Sequence, residues 1–126
     1  MSKISIKHLN NEHNDWLKSL QFYKEQVTVL KGRLTELAGK YTSGDVVNQL
    51  DHFENQFKIQ VNNIDTITHD LKAYLHDVTL QAEGNNGYVE KELIDQHNNY
   101  RNRFIEEEKF IHELRHEFNK FASHWM

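Results

Sequence analysis

The chain has 126 residues, a formal net charge of −4, and neither cysteine nor proline. That length suffices for one domain with its own core, and the missing cysteines exclude disulfides, thiolate metal sites and thiol nucleophiles. The missing prolines remove the strongest helix breaker from every segment.

The charge is unevenly spread. Residues 1–41 carry seven Lys/Arg against four Asp/Glu, residues 42–83 two against seven, and residues 84–126 six against eight. The first and second thirds are therefore complementary neighbours, which favours pairing them within one molecule. No segment presents a dense basic stripe, so nucleic acid is not an expected partner. No run approaches the ~18 apolar residues of a membrane span. Met1–Leu9 lacks the apolar core of a secretory leader, so the expectation is a soluble cytoplasmic protein.

Three stretches repeat apolar residues at alternating three- and four-residue steps, the pattern of helices packed side by side. The first runs Ile6, Leu9, His13, Trp16, Leu20, Tyr23, Val27, Leu30, Leu34, Leu37, Tyr41. Its start has several candidate caps in Ser5, Asn10 and Asn11. Thr42-Ser43-Gly44-Asp45 then offers capping-box spacing. The second stretch runs Val46, Leu50, Phe53, Phe57, Gln60, Ile64, Ile67, Leu71, Tyr74, Val78, and Gly84-Asn85-Asn86-Gly87 follows as a turn cluster. The third runs Leu93, His97, Tyr100, Phe104, Glu107, Ile111, Leu114, Phe118, Phe121, Trp125.

The predicted architecture is all-α: a single domain over residues 1–126, with helices at about 6–41, 44–83 and 88–124. Short connections make neighbouring long helices antiparallel, so the chain runs up, down, up as a three-helix bundle with coiled-coil packing. A dimer in which two chains build a four- or six-helix bundle is the competing arrangement. Folded this way, position n lies opposite 87−n and n+84. Leu34 then meets Phe53 and Phe118, and Tyr41 meets Val46 and Trp125.

Four polar residues interrupt the apolar pattern: His13, Gln60, His97 and Glu107. The register gathers them into two places, His13 with Tyr74 and His97, and Tyr23 with Gln60 and Glu107. Buried polar groups cost a few kcal/mol unless hydrogen-bonded, so convergence is expected if both clusters fix helix register. Glu107 is expected to accept a hydrogen bond from Tyr23 or Gln60. A second reading makes His13, His97 and Tyr74 metal ligands for zinc or iron, completed by Glu12, Asp70 or Asp77. Against it, bundle metal sites draw on several inward carboxylates and a Glu-x-x-His pair, which these helices lack.

His112-Glu113-Leu114-Arg115-His116 matches the H-E-x-x-H zinc motif. Leu114 is the core residue of that turn, so His112 and His116 face outward with Glu108, an adventitious surface pair rather than a catalytic one. Phe22, Val29, Ile59, Ile105 and Phe110 lie off the core positions, all in the middle third of the expected bundle. Such a belt points to a partner, and a homodimer is the commonest symmetric solution. Gly32 and Gly39 lie seven apart on the outer face of the first helix, each costing about 1 kcal/mol against alanine.

The pattern Glu12-His13-x-x-Trp16-Leu17-x-x-Leu20-x-Phe22-Tyr23-Lys24, with His52-Phe53-x-Asn55-Gln56-Phe57 and Phe118-x-x-Phe121-x-x-x-Trp125-Met126, resembles small uncharacterised bacterial helical-bundle proteins. That resemblance spans nearly the whole chain and implies no activity. Spectrin-type repeats share the aromatic-rich bundle but not the histidines. Hemerythrin-like proteins use four helices with inward His/Glu constellations, whereas three helices with mostly outward histidines are expected here. The sequence has no Gly-rich phosphate loop, nucleophile–base spacing or carboxylate pair facing a cavity. The expectation is a non-enzymatic interaction or scaffold protein without cofactor, self-associating through the belt. A metal-binding bundle centred on His13 and His97 is the alternative.

Overall fold

The computed structural model describes residues 4–84 and 88–125, with side chains for residues 7–84 and 90–125. The protein is all-α, with helices α1 (Ile6–Lys40), α2 (Asp45–Gly84) and α3 (Lys91–Trp125) packed as a three-helix bundle. The chain divides into two compact units, each holding a segment of every helix: residues up to Gln21 with Asp65–Glu106, and Phe22–Ile64 with residues from Glu107 onward.

The first unit buries Leu9, Trp16 and Leu20 of α1 against Ile67, Leu71, Tyr74 and Val78 of α2 and Phe104 of α3. His13 pairs with His97 and Trp16 stacks on Phe104, so α1 and α3 run the same way here. Tyr74 packs against His13 and Tyr100, while Asp70 meets Arg103, so α2 runs opposite. The offset of 84 between α1 and α3 holds at His13 and His97, and Tyr74 faces His13 as the register requires.

The second unit buries Val27, Leu30, Leu34 and Leu37 against Phe53 and Phe57 of α2 and Ile111, Leu114 and Phe118 of α3. Phe53 meets Phe118 edge to face, and the Tyr41 hydroxyl donates to the Trp125 carbonyl at 2.7 Å, again at an offset of 84. The buried line of α3 ends on Phe118 and Ala122, leaving Phe121 and Trp125 part-exposed. A 3.6-residue helix drifts against a seven-residue repeat, and by the last turns the drift moves the inward position one residue on. Ala82 follows Val78 in α2 for the same reason.

Two helix starts differ from expectation. Thr42 does not cap α2. Asp45 is its first residue and Gly44, at φ 90°, carries the left-handed turn, its carbonyl accepting from Val47 N–H at 3.2 Å. Glycine adopts that conformation without steric cost. Gly44→Ala meets no atom in the fold, yet thermal melts should show a loss of about 1–2 kcal/mol from backbone strain alone.

The third helix starts at Lys91 rather than 88, because Tyr88–Val89 forms a short strand paired antiparallel with Ile4–Ser5, Ile4 opposite Val89. Aromatic and β-branched residues suit a strand. Glu90 then opens α3, its carbonyl accepting from Leu93 and Ile94 and its N–H donating to Gln81 Oε1 at 2.6 Å. Of the expected turn cluster, Asn85, Asn86 and Gly87 lie outside the described residues.

Candidate functional site

Two of the nine histidines are buried, His13 fully and His97 to 2% exposure, and both belong to the first unit. Residues three and four apart on a helix share a face. Thus α1 presents Glu12 beside His13 and Trp16, and α3 presents His97, Arg101 and Phe104. The two rings meet directly, His13 Nε2 lying 2.7 Å from His97 Nδ1. His97 Nε2 lies 2.6 Å from Glu12 Oε1. Arg101 closes the chain by gripping Glu12 with two nitrogens, at 2.8 and 3.0 Å.

The hydrogen positions follow from these partners. An ionised carboxylate only accepts, so His97 Nε2 carries a proton and donates to Glu12. In a neutral ring that leaves His97 Nδ1 as an acceptor, and His13 Nε2 donates to it. His13 Nδ1 is then a bare lone pair, buried without a hydrogen-bond partner among the described residues. The hydrogen bonds therefore run His13 to His97 to Glu12, with Arg101 fixing the far end.

The electrostatics agree. Hydrogen bonds from Arg101 hold the Glu12 carboxyl below the usual carboxylate range. Burial, then the neighbouring His97, pushes His13 down from 6.5 to about 4. Burial also lowers His97, with Glu12 opposing it and Arg101 adding to it. Arg101 itself is raised by its bonds to Glu12. Aromatic walls enclose the pair: Trp16 stacks on His97 at 5.0 Å, and Tyr74 meets His13 edge-on at 5.3 Å. The Tyr74 hydroxyl donates to the Leu93 carbonyl, and burial then the neighbouring Tyr100 push it well above 10.

The geometry of His13, His97 and Tyr74 here is that of a hydrogen-bonded cluster. A divalent ion bonded to two imidazoles at about 2.0–2.1 Å holds their nitrogens more than 3 Å apart in tetrahedral geometry. Here the two nitrogens face each other at 2.7 Å. Tyr74 is committed to a backbone carbonyl and Asp70 to Arg103 at 3.1 Å. Among the described residues no group of three or more His, Cys, Asp or Glu side chains converges to hold an ion.

The second polar cluster lies in the second unit. With its amide nitrogen turned inward, Gln60 donates to both Glu107 oxygens at 2.7 and 3.1 Å. Tyr23 was expected to share this layer, but its hydroxyl donates to Glu108 instead. Glu108 lies about 100° further round α3, on the flank that α1 covers. Burial and this bond push the Tyr23 hydroxyl up to about 12.

The remaining sequence candidates are on the surface. His112 and His116 are exposed beside the buried Leu114, and Tyr23 packs edge-on against the His112 ring at 5.6 Å. Phe22, Val29, Ile59 and Phe110 stand 41–65% exposed in the second unit, and Ile105 is 53% exposed in the first. Leu80, also exposed in the first unit, joins these large apolar residues. It follows Val78 by two residues, where the helical period points away from the core. Phe110 borders an open groove with His52, Gln56 and Gln60, and a second groove of about 500 Å³ is lined by Gln49, Lys120, Phe121, His124 and Trp125.

Sequence reasoning missed Arg101, which sits one turn after His97 and so on the same face. It also missed the Asp70–Arg103–Tyr100 group, in which the Arg103 guanidinium lies 5.4 Å from the Tyr100 ring centre. No protein-family model matches the chain, and no curated protein or solved structure matches it significantly.

Proposed function

We propose that this protein is a non-enzymatic helical interaction module that works as a homodimer in the cytoplasm, with no cofactor and no nucleic-acid partner. The observation that carries this reading is the set of large apolar side chains left in solvent, Phe22, Val29, Ile59, Ile105 and Phe110. Their exposure has no role in packing the helices of one chain, and concentrated exposed apolar surface marks association sites. The buried titratable side chains lend support in the other direction. His13 and His97 are spent on each other and on Glu12, and Glu107 accepts from Gln60. Such groups hold helices in register rather than present a reactive atom to a substrate. No described helix is long and apolar enough to cross a membrane.

Light scattering coupled to size exclusion tests the reading. The wild-type chain is expected at twice the monomer mass. Phe22→Glu or Phe110→Glu should raise the dimer dissociation constant at least about tenfold, or ~1.4 kcal/mol, with the helical circular dichroism unchanged. A wild-type monomer at millimolar concentration ends the idea.

A further inference from the structure

We propose that the buried His13–His97 pair is an acid-operated latch for the first unit, closed while both rings are neutral and opened when His13 takes a proton. The pair sits where α1, α2 and α3 of that unit meet, with 0% of His13 and 2% of His97 exposed. One shared proton occupies the 2.7 Å bond between the rings. Two imidazolium ions cannot keep that bond, because each would bring an N–H to the same short gap. A proton added to His13 Nδ1 gains no hydrogen bond either, since that atom is buried without a partner among the described residues.

The surrounding charges reinforce the refusal. From α1, Glu12 faces His97 rather than His13, and Arg101 of α3 already neutralises it. From α2, the facing group is the Tyr74 ring, with Tyr100 of α3 behind it, beside the ion pair of Asp70 and Arg103. Glu12 favours a charge on His13, but less than burial and the neighbouring His97 oppose one.

The sign follows directly. His13 has an ordinary value of 6.5 in the open chain and about 4 in the closed unit. Between those values the open state binds a proton that the closed state refuses, so closure is strongest above pH 6.5 and weakens as pH falls toward 4. Glu12, held below the usual range, keeps its charge over most of this window and stays attached to Arg101. The second unit buries no histidine among its described residues and lacks this linkage.

Nuclear magnetic resonance on the full chain tests the latch, with Trp16 reporting the first unit and Trp125 the second. From pH 7 to pH 4, amide protection in the first unit should fall roughly 100-fold, and the Trp16 indole N–H should follow it. Protection over residues 22–64 should hold. The His13 ring should stay neutral until the first unit opens. His13→Phe should remove one proton from the pH dependence of first-unit opening. If that variant does not fold, the wild-type imidazole resonances decide alone. Titration of His13 near its ordinary value of 6.5 in a still-protected first unit overturns the proposal. So does parallel loss of protection in both units.

Discussion

Phe118→Ala is expected to lower stability by about 3–5 kcal/mol in a urea titration, the usual range for a fully buried phenylalanine. Phe118 is 0% exposed and is the hub of the second unit's aromatic packing. Its ring meets Phe53 and Phe57 edge to face, each with centroids 5.2 Å apart. The Arg33 guanidinium lies 6.0 Å from its centre and donates to Asn119 Oδ1 at 2.9 Å. Truncation therefore loses the transferred apolar area, two edge-to-face contacts and a cation–π contact. The cavity that remains is bounded by rings, which cannot collapse into it without leaving their rotamers. Phe121, part-exposed three residues further on, provides the internal comparison. Phe121→Ala should cost clearly less, because its ring is already part-exposed. Equal losses at the two positions would show that the end of α3 is packed differently.

The contrast between Phe118 and Phe121 shows how far a repeat pattern carries. The three-four steps identified the helices, and they placed Trp16, Phe57 and Phe118 inside correctly. They assign Phe121 to the core because a strict repeat ignores the drift of a straight helix, which grows with distance. The strand pair at Ile4–Ser5 and Tyr88–Val89 was illegible for a different reason: two residues are too few for any periodicity. Convergence of His13, Tyr74 and His97 was readable, since helix offset alone brings them to one level. Whether two imidazoles bond each other or share an ion depends on distances of a few tenths of an ångström. No spacing in a sequence encodes that. Arg101 occupies Glu12 at the far end of the hydrogen-bonded chain, and the pull of Glu12 on His13 is smaller than that of burial and His97.

Tyr23 makes the same point in the second unit. Its layer was legible, but its partner, Glu108 rather than the adjacent Glu107, was not. Two consecutive carboxylates on a helix point about 100° apart. The choice between them depends on which flank α1 covers, a matter of tertiary packing rather than of local pattern.

Gln60→Leu is expected to destabilise the second unit by about 1–3 kcal/mol, the cost of leaving a buried polar group without its hydrogen-bond partner. Glu107 is 3% exposed, and the Gln60 amide donates to both of its oxygens. Leucine fills nearly the same volume as glutamine, so no sizeable cavity forms and the loss is electrostatic. The carboxylate must then draw water inward or take up a proton, and either response costs free energy in an apolar layer. Replacing both residues, as Gln60→Leu with Glu107→Leu, should recover most of that loss. What the double variant gives up is discrimination. With Leu at both positions, the layer no longer distinguishes the native register of α2 and α3 from one slipped by a turn. Urea titrations of all four proteins give the coupling between the two positions. A Gln60→Leu variant within 0.5 kcal/mol of wild type would show that the amide does not hold the carboxylate. A double variant as weak as the single one would show that the pair contributes stability rather than specificity.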